Sequence, residues 1–389
     1  MSRTPPQTWQ ADSALDWLLK EGRFLAGLDD IVQGLGDKLL AAGAPLWRLR
    51  VSMRTLHPLV TAITAIWERD QGETTQRVST HGLERRTEYI GSPSEIIKRS
   101  GKPFRKRLNE NLSVEDHAVL HQLKERGATD YLGLPLALSN LLSAHVIVTT
   151  DTPSGFADSD IANFEHIAAV LAPIVETINA NRTAIAVAEA YLGPRTGRRV
   201  LSGQITRGDL EAIDAAILLS DIRDWTGLNQ RASPTEALAL ANRYFDVITD
   251  AVEAHEGEIL KFLGDGVLAI FPTSDDVGDR SACASALGAA RLALRTAQTF
   301  ETPVELAFGI GLHFGQVLYG NVGSKSRLDF TVMGSAVNLT ARIEGLCGKL
   351  GHSILFSQDV ANRLSEASQL ISEEHVKGFD APCQIHTTI

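Results

Sequence analysis

Cysteine is nearly missing from this chain, with three in 389 residues, at positions 283, 347 and 383. An odd number at wide spacing builds neither a disulfide framework nor a thiolate metal cluster. A disulfide-stapled scaffold is excluded, and a reducing compartment, the cytoplasm, is expected. Positive charge is short too: 37 Lys plus Arg stand against 47 Asp plus Glu, a formal net charge of −10. That is the wrong sign for a nucleic-acid footprint. Apolar runs such as Ile167–Val175 fall far short of the roughly 20 residues that cross a bilayer, so no membrane span is expected. Met1–Gln10 is polar, holds two prolines and lacks the apolar core of a secretory signal. No fixed-period repeat or low-complexity tract is present. What is there is ordinary for a globular protein with a sizeable core: 44% apolar and 22% charged residues. The length suits two or three domains.

The clearest break lies between Asn179 and Asp209. Asn179–Leu192 reads as a helix, Gly193-Pro194 stops it, and Gly203 and Gly208 precede a new apolar strand. The expected organisation is a tail over 1–24, a first domain over 25–178, a helical linker over 179–209 and a second domain over 210–389. In the first domain, Leu28, Ile31, Val32, Leu35, Leu39 and Leu40 share one helical face. Strand-like runs follow at Trp47–Met53, Thr61–Trp67, Leu132–Leu136 and Ala144–Thr149, and a capped helix closes the domain over Asp158–Asn179. This is the pattern of an α+β sandwich. The basic stretch Lys98–Arg107 reads as a solvated loop. His117 and His121, at i and i+4, have no third metal ligand in view, and a solvated helix face is expected there.

The second domain alternates strands and helices: strand 215–221, helix 234–254, a hairpin 257–271, helix 276–300, strands 304–314, 316–322 and 328–332, helix 335–349, strand 352–356, helix 357–366 and two closing strands. Three pieces carry chemistry. Ala215–Thr226 is an apolar strand ending in Asp221; a carboxylate there suits a cation with phosphates, although alone it is more often a turn residue. Gly257–Phe271 joins two strands through Gly264-Asp265-Gly266, where the glycines permit a tight turn and expose the aspartate. Two such carboxylates on neighbouring strands form the basis of two-metal phosphoryl chemistry. In Leu328–Glu344 a strand leads through Gly334 into a helix that stacks Asn338 and Arg342 at i and i+4. An amide beside a guanidinium fork suits a triphosphate and a ribose. His313 reads as structural.

Taken in order, LLSDIRDWT, LKFLGDGVLAIF, GIGLHFGQVLYGNVG and DFTVMGSAVNLTARIE resemble the catalytic domain of class III adenylate and guanylate cyclases, from about residue 213 to 389. The resemblance implies a ferredoxin-like α+β domain with a mixed, partly antiparallel sheet. It implies that Asp221, Asp265 and the Ile222 carbonyl hold two Mg²⁺ or Mn²⁺ ions per site. It further implies that Lys261 and Thr331 read the base, that Asn338 orients the ribose and that Arg342 steadies the transition state. Lys377 matches a phosphate-binding lysine, with Phe379 departing from the basic residue more usual nearby, and either Lys325 or Arg327 adds a phosphate contact. Asp224-Trp225 stands where Gly-Phe is more usual. A lysine donates to adenine N1 but meets a donor on guanine, so Lys261 with Thr331 points to ATP and the product to cyclic AMP. Sites of this family are shared across a head-to-tail dimer, which implies a homodimer with two equivalent sites. Guanylate cyclase activity, or a silent nucleotide-binding module, are the alternatives. Tyr131-Leu-Gly-Leu-Pro-Leu, Val146–Thr149 and Gly155-Phe-Ala-Asp-Ser-Asp resemble the second half of a GAF-type sensor, implying a small-molecule or protein regulator for the first domain.

Overall fold

The computed structural model describes residues 9–139, 142–300, 306–379 and 381–389. It divides into two compact units, Met1–Val187 and Ala188–Ile389.

The first unit runs α1 (Asp12–Lys20), α2 (Leu28–Ala41), β1 (Arg48–Arg54), β2 (Val60–Glu68), β3 (Thr75–Thr80), α3 (Pro93–Ser100), β4 (Phe104–Arg107), α4 (Ala118–Glu125), β5 (Asp130–Leu136), β6 (Ala144–Thr150) and α5 (Asp158–Leu192). Its strands form one antiparallel sheet in the order β3-β2-β1-β6-β5-β4. Alternation along β1 sends Leu49, Val51 and Met53 into a core shared with α1, α2 and α5. Trp47, Tyr131 and Ile147 pack with Leu120 and Leu123 of α4 in a separate cluster.

Several expectations need correction. Residues 1–24 are not simply a tail: α1 buries Ala14, Trp17 and Leu18 in the core, beside Trp9. The polar, proline-bearing first ten residues hid that amphipathic turn. Leu40 lies outside the buried stripe of α2. Lys98–Arg107 is no solvated loop, because Phe104–Arg107 pair with β5, Arg105 forks onto the buried Asp130 at 2.7 Å and Lys106 meets Asp116 at 2.7 Å. The closing helix does not end at residue 179. Asn179 is buried and donates from Nδ2 to the Arg54 carbonyl at 2.7 Å, and the helix continues to Leu192. By length and composition alone α5 is long and apolar enough to cross a membrane. Its Phe164, Ile167, Leu171, Val175 and Ile178 are buried in the core of the first unit.

The second unit comprises α6 (Pro194–Leu201), β7 (Leu210–Ile222), α7 (Trp225–Arg231), α8 (Pro234–Ala254), β8 (Glu258–Leu263), β9 (Gly266–Pro272), α9 (Asp279–Gln298), β10 (Phe308–Gly323), β11 (Leu328–Met333), α10 (Ser335–Leu350), β12 (Ile354–Ser357), α11 (Gln358–Ala361), β13 (Ser368–Glu374) and β14 (Cys383–Thr388). Part of the expected linker thus belongs here: Thr196 of α6 is buried and donates to Glu258 at 2.8 Å. The sheet order is β13-β14-β12-β10-β7-β9-β8, with β11 on β10. β12 runs parallel to β10 and the other pairings are antiparallel, so the unit is α+β with a mixed sheet. Alternation along β7 sends Ala216 and Leu218 toward α8 and α9, and Ala215 and Ile217 toward Val317, Phe330 and Val332.

Two expected strands, 304–314 and 316–322, are one: β10 passes straight through Gly315, which pairs with Ala215. Residues 304 and 305 lie outside the described residues. Gly311 clears space for α10, since a Cβ there would sit 2.5 Å from the Glu344 amide nitrogen. The helix expected over 357–366 stops at Ala361; Val360 and Leu364 both pack on the core, so their spacing reflects packing rather than a helix.

Candidate active site

β7 lies between β9 and β10, and its register sets Asp221 opposite Gly266 on one side and Gly309 on the other. The β8–β9 turn is tight enough to need a left-handed Gly264, with φ of 69°. It therefore places Asp265, one residue before Gly266, next to Asp221. The Ile222 amide ties the two segments together, lying 3.3 Å from the Asp265 carbonyl and 3.1 Å from Asp221 Oδ1. Burial and the facing Asp265 carboxylate push the Asp221 carboxyl up to about 6. Among the described residues neither carboxylate has an ion-pair partner within 4 Å. Two half-buried carboxylates with no direct ion pair, and Arg223 as the nearby positive charge, form an oxygen donor set suited to a hard divalent cation such as Mg²⁺ or Mn²⁺.

Beneath this pair is a group that sequence reasoning missed. Glu344 is buried on α10, and burial together with Asp221 pushes its carboxyl up to about 7. Arg223, next to Ile222, approaches it at 3.9 Å. The Ser220 and Tyr244 hydroxyls are buried close to each other nearby. Glu344 follows Arg342 by two residues, about 200° round the helix, so it faces inward when Arg342 faces out. An acid within the buried stripe Leu339–Ile343–Cys347 was the available signal. No group of three or more His, Cys, Asp or Glu converges among the described residues.

Asn338 and Arg342 lie exposed on α10, with no side-chain hydrogen bond or ion pair among the described residues. Within one chain, no bond links them to Asp221 or Asp265. Lys261 on β8 is ion-paired with Asp329 on β11, a partner not foreseen from sequence, two residues before Thr331. Thr331 is buried and its hydroxyl has no partner. Lys377 is exposed in a turn before Gly378, and Lys325 and Arg327 are exposed between β10 and β11. Asp224 adopts a left-handed conformation, φ 52°, which accounts for glycine being more usual there, and it pairs with Arg231 at 2.7 Å. His313 is buried on Ser357 Oγ at 2.8 Å. His117 caps α4 through Nδ1, and His121 reaches the Ser113 carbonyl.

The family model of the adenylate and guanylate cyclase catalytic domain matches residues 211–386. Residues 211–386 are thus similar to that catalytic domain. Among curated relatives, adenylate cyclase 1 of Rhizobium meliloti (strain 1021) is 30% identical over 260 residues, covering 64% of this chain and 39% of the relative. The adenylate cyclase of Anabaena cylindrica is 36% identical over 156 residues, 38% of this chain and 30% of that protein. The chain thus spans well under half the length of these relatives. A solved bacterial light-regulated adenylyl cyclase is 29% identical, with a TM-score of 0.40 over 46% of this chain and 91% of that one. Within the matched residues the acidic pair sits at one end of β7, and Asn338 and Arg342 are exposed on α10.

Proposed function

We propose that the chain is an adenylate cyclase that converts ATP to 3′,5′-cyclic AMP and pyrophosphate, at two sites each shared between copies of a homodimer. The observation that carries this reading is the Asp221–Asp265 pair, without a direct ion pair, in a chain whose Asn338 and Arg342 are exposed and unpartnered among the described residues. A carboxylate pair short of positive charge and a guanidinium short of negative charge are complementary halves, which a second copy brings together.

Asp221, Asp265 and the Ile222 carbonyl are the oxygens that would hold two Mg²⁺ or Mn²⁺ ions. When bound, such ions neutralise triphosphate charge and lower the pKa of the ribose 3′-hydroxyl. The chain's own residues supply the rest. The Asn338 amide orients the ribose so that its 3′-oxygen faces the α-phosphorus, whose bond to pyrophosphate breaks. Arg342 fixes positive charge against the phosphoryl oxygens. Lys377, with Lys325 or Arg327, holds the outgoing pyrophosphate. The unpartnered Thr331 hydroxyl accepts from the adenine amino group while Lys261, steered by Asp329, donates to N1. The free cysteines and the need for ATP suit the cytoplasm.

A guanylate cyclase is the second reading, favoured by one feature. The Asp329 carboxylate beside Lys261 is an acceptor that guanine N1–H can use. Turnover of ATP against GTP separates the two. The N-terminal unit we read as a GAF-like regulatory domain, supported by its six-stranded antiparallel sheet flanked by helices.

The decisive test mixes full-length Asp221→Asn and Arg342→Ala proteins, each inactive alone. Random exchange makes half the dimers mixed, each with one intact site, so about a quarter of wild-type turnover returns. No recovery in verified mixed dimers refutes the shared site.

A further inference from the structure

β1 carries Arg48, Arg50, Ser52 and Arg54 at alternate positions, between residues committed to the apolar core. The strand period of two therefore turns three guanidiniums toward the same face of the sheet. That face is hollow. A cavity of about 440 Å³ is lined there by Arg48, Arg50, Arg54, Arg77, Arg86 and Lys98. A single carboxylate, Glu88, lines it with them. Two further acids reach these cations from the rim. Glu68 takes Arg48 at 2.9 Å but is shared with Arg126, and Glu84 is shared between Arg54 and Lys98.

Arg50 has none of this. Among the described residues it makes no ion pair and no hydrogen bond, and its Nε is sealed from solvent without a partner. Nη1 of Arg54 is buried and unpartnered in the same way. An arginine keeps its charge in any protein environment, and a buried charge without a partner is costly. Burial accordingly holds the Arg50 guanidinium below its usual pKa, with Arg77 adding repulsion. His145 and Tyr131, which also face the cavity, offer no negative charge: His145 lies on Ser94 Oγ at 3.0 Å, and burial pushes the Tyr131 hydroxyl up to about 12. The remainder of the wall is apolar or small, including Met53, Ile66 and Val119.

We infer that this cavity is a binding site for a small organic anion, whose carboxylate or phosphate group is gripped by the guanidinium fork of Arg50 with Arg77 and Arg54 around it. The fork matches a planar or tetrahedral oxyanion bidentately. The volume lies within the range of small-molecule pockets and far exceeds a bare inorganic ion, so the charged group is carried on a body that rests against Met53, Ile66 and Val119. Binding stands on the cavity alone; only its consequence for cyclase output rests on the reading of the N-terminal unit as regulatory.

The experiment uses the full-length protein and four probes at matched ionic strength against chloride: inorganic phosphate, phenyl phosphate, benzoate and succinate. Calorimetric binding and thermal melting are read for wild type, Arg50→Met and Arg77→Gln. At least one organic anion is expected to bind and raise the melting temperature, more strongly than inorganic phosphate. Phenyl phosphate against benzoate tells phosphate from carboxylate. Loss of one charge-assisted contact in Arg50→Met weakens that binding about 10–100-fold. Arg50→Met, lacking the uncompensated charge, is expected to melt higher than wild type without ligand. Should Arg50→Met not fold, Arg77→Gln reads the same weakening. Binding undiminished in the variants, or no binding by any of the four probes, overturns the site. Binding that leaves cyclic-nucleotide turnover unchanged refutes the regulatory reading and leaves the site standing.

Discussion

Asp221→Asn is expected to raise stability while abolishing turnover. Asparagine preserves the shape and the Oδ1 contact with the Ile222 amide and removes only the charge. In the wild type, burial and Asp265 push the Asp221 carboxyl from 3.8 to about 6. At about 1.36 kcal/mol per unit this is roughly 3 kcal/mol against the ionised pair. Asp221 is only partly buried, so solvent screening leaves about 1–2 kcal/mol. A raised acid pKa gives stability that is full below the ordinary value and lost as pH rises to about 6. At pH 7 without metal, Asp221→Asn should therefore melt about 2–8 °C higher. Its stability should also lack the wild-type decline between about pH 4 and 6. Added Mn²⁺ should raise the wild-type melting temperature by mass action and leave the variant unmoved. Calorimetric melts in chelator across that pH range, with and without Mn²⁺, read all three effects. A variant that melts below wild type at pH 7 in chelator, or that gains as much from Mn²⁺, refutes the acidic pair as a cation site.

Arg342→Ala, at an exposed position, should lower kcat by about 10²–10³ with no change in melting temperature; a stability loss would mark it as structural. Asp329→Ala frees Lys261 from its ion pair and removes the acceptor for guanine, so turnover on GTP should fall relative to ATP, measured as the ratio of kcat/KM values. Gly311→Ala forces a methyl against the Glu344 amide and should cost about 1–3 kcal/mol in denaturant melts, together with activity, because α10 carries Asn338 and Arg342.

Much of the local structure was legible from the chain. β7 shows as an unbroken apolar run because both its faces are covered by core, and α8 and α10 show period 3.6 because each is covered on the side its apolar residues face. Asp221 and Asp265 were visible as strand-end and turn carboxylates, since a polar residue interrupting an apolar run stands out. Glu344 was not, because a lone acid in an apolar stripe looks like any other helix residue until the sheet lies against it. The Lys261–Asp329 pair joins residues 68 apart in sequence, and no local pattern announces such a contact. Helix α1 and strand β4 escaped because each is short and flanked by polar residues, so tertiary packing rather than periodicity defines it.

By itself the chain determined which residues are able to carry such chemistry, for residue type and spacing decide what a side chain can donate, accept or repel. Tertiary structure alone decided what those groups are paired with. It set two carboxylates side by side without a direct ion pair, buried Glu344 near them and left Arg50 unpartnered in a basic cavity. Pairing is a property of register and packing between distant segments, and on it depends whether a charge is satisfied at home or waits for a ligand.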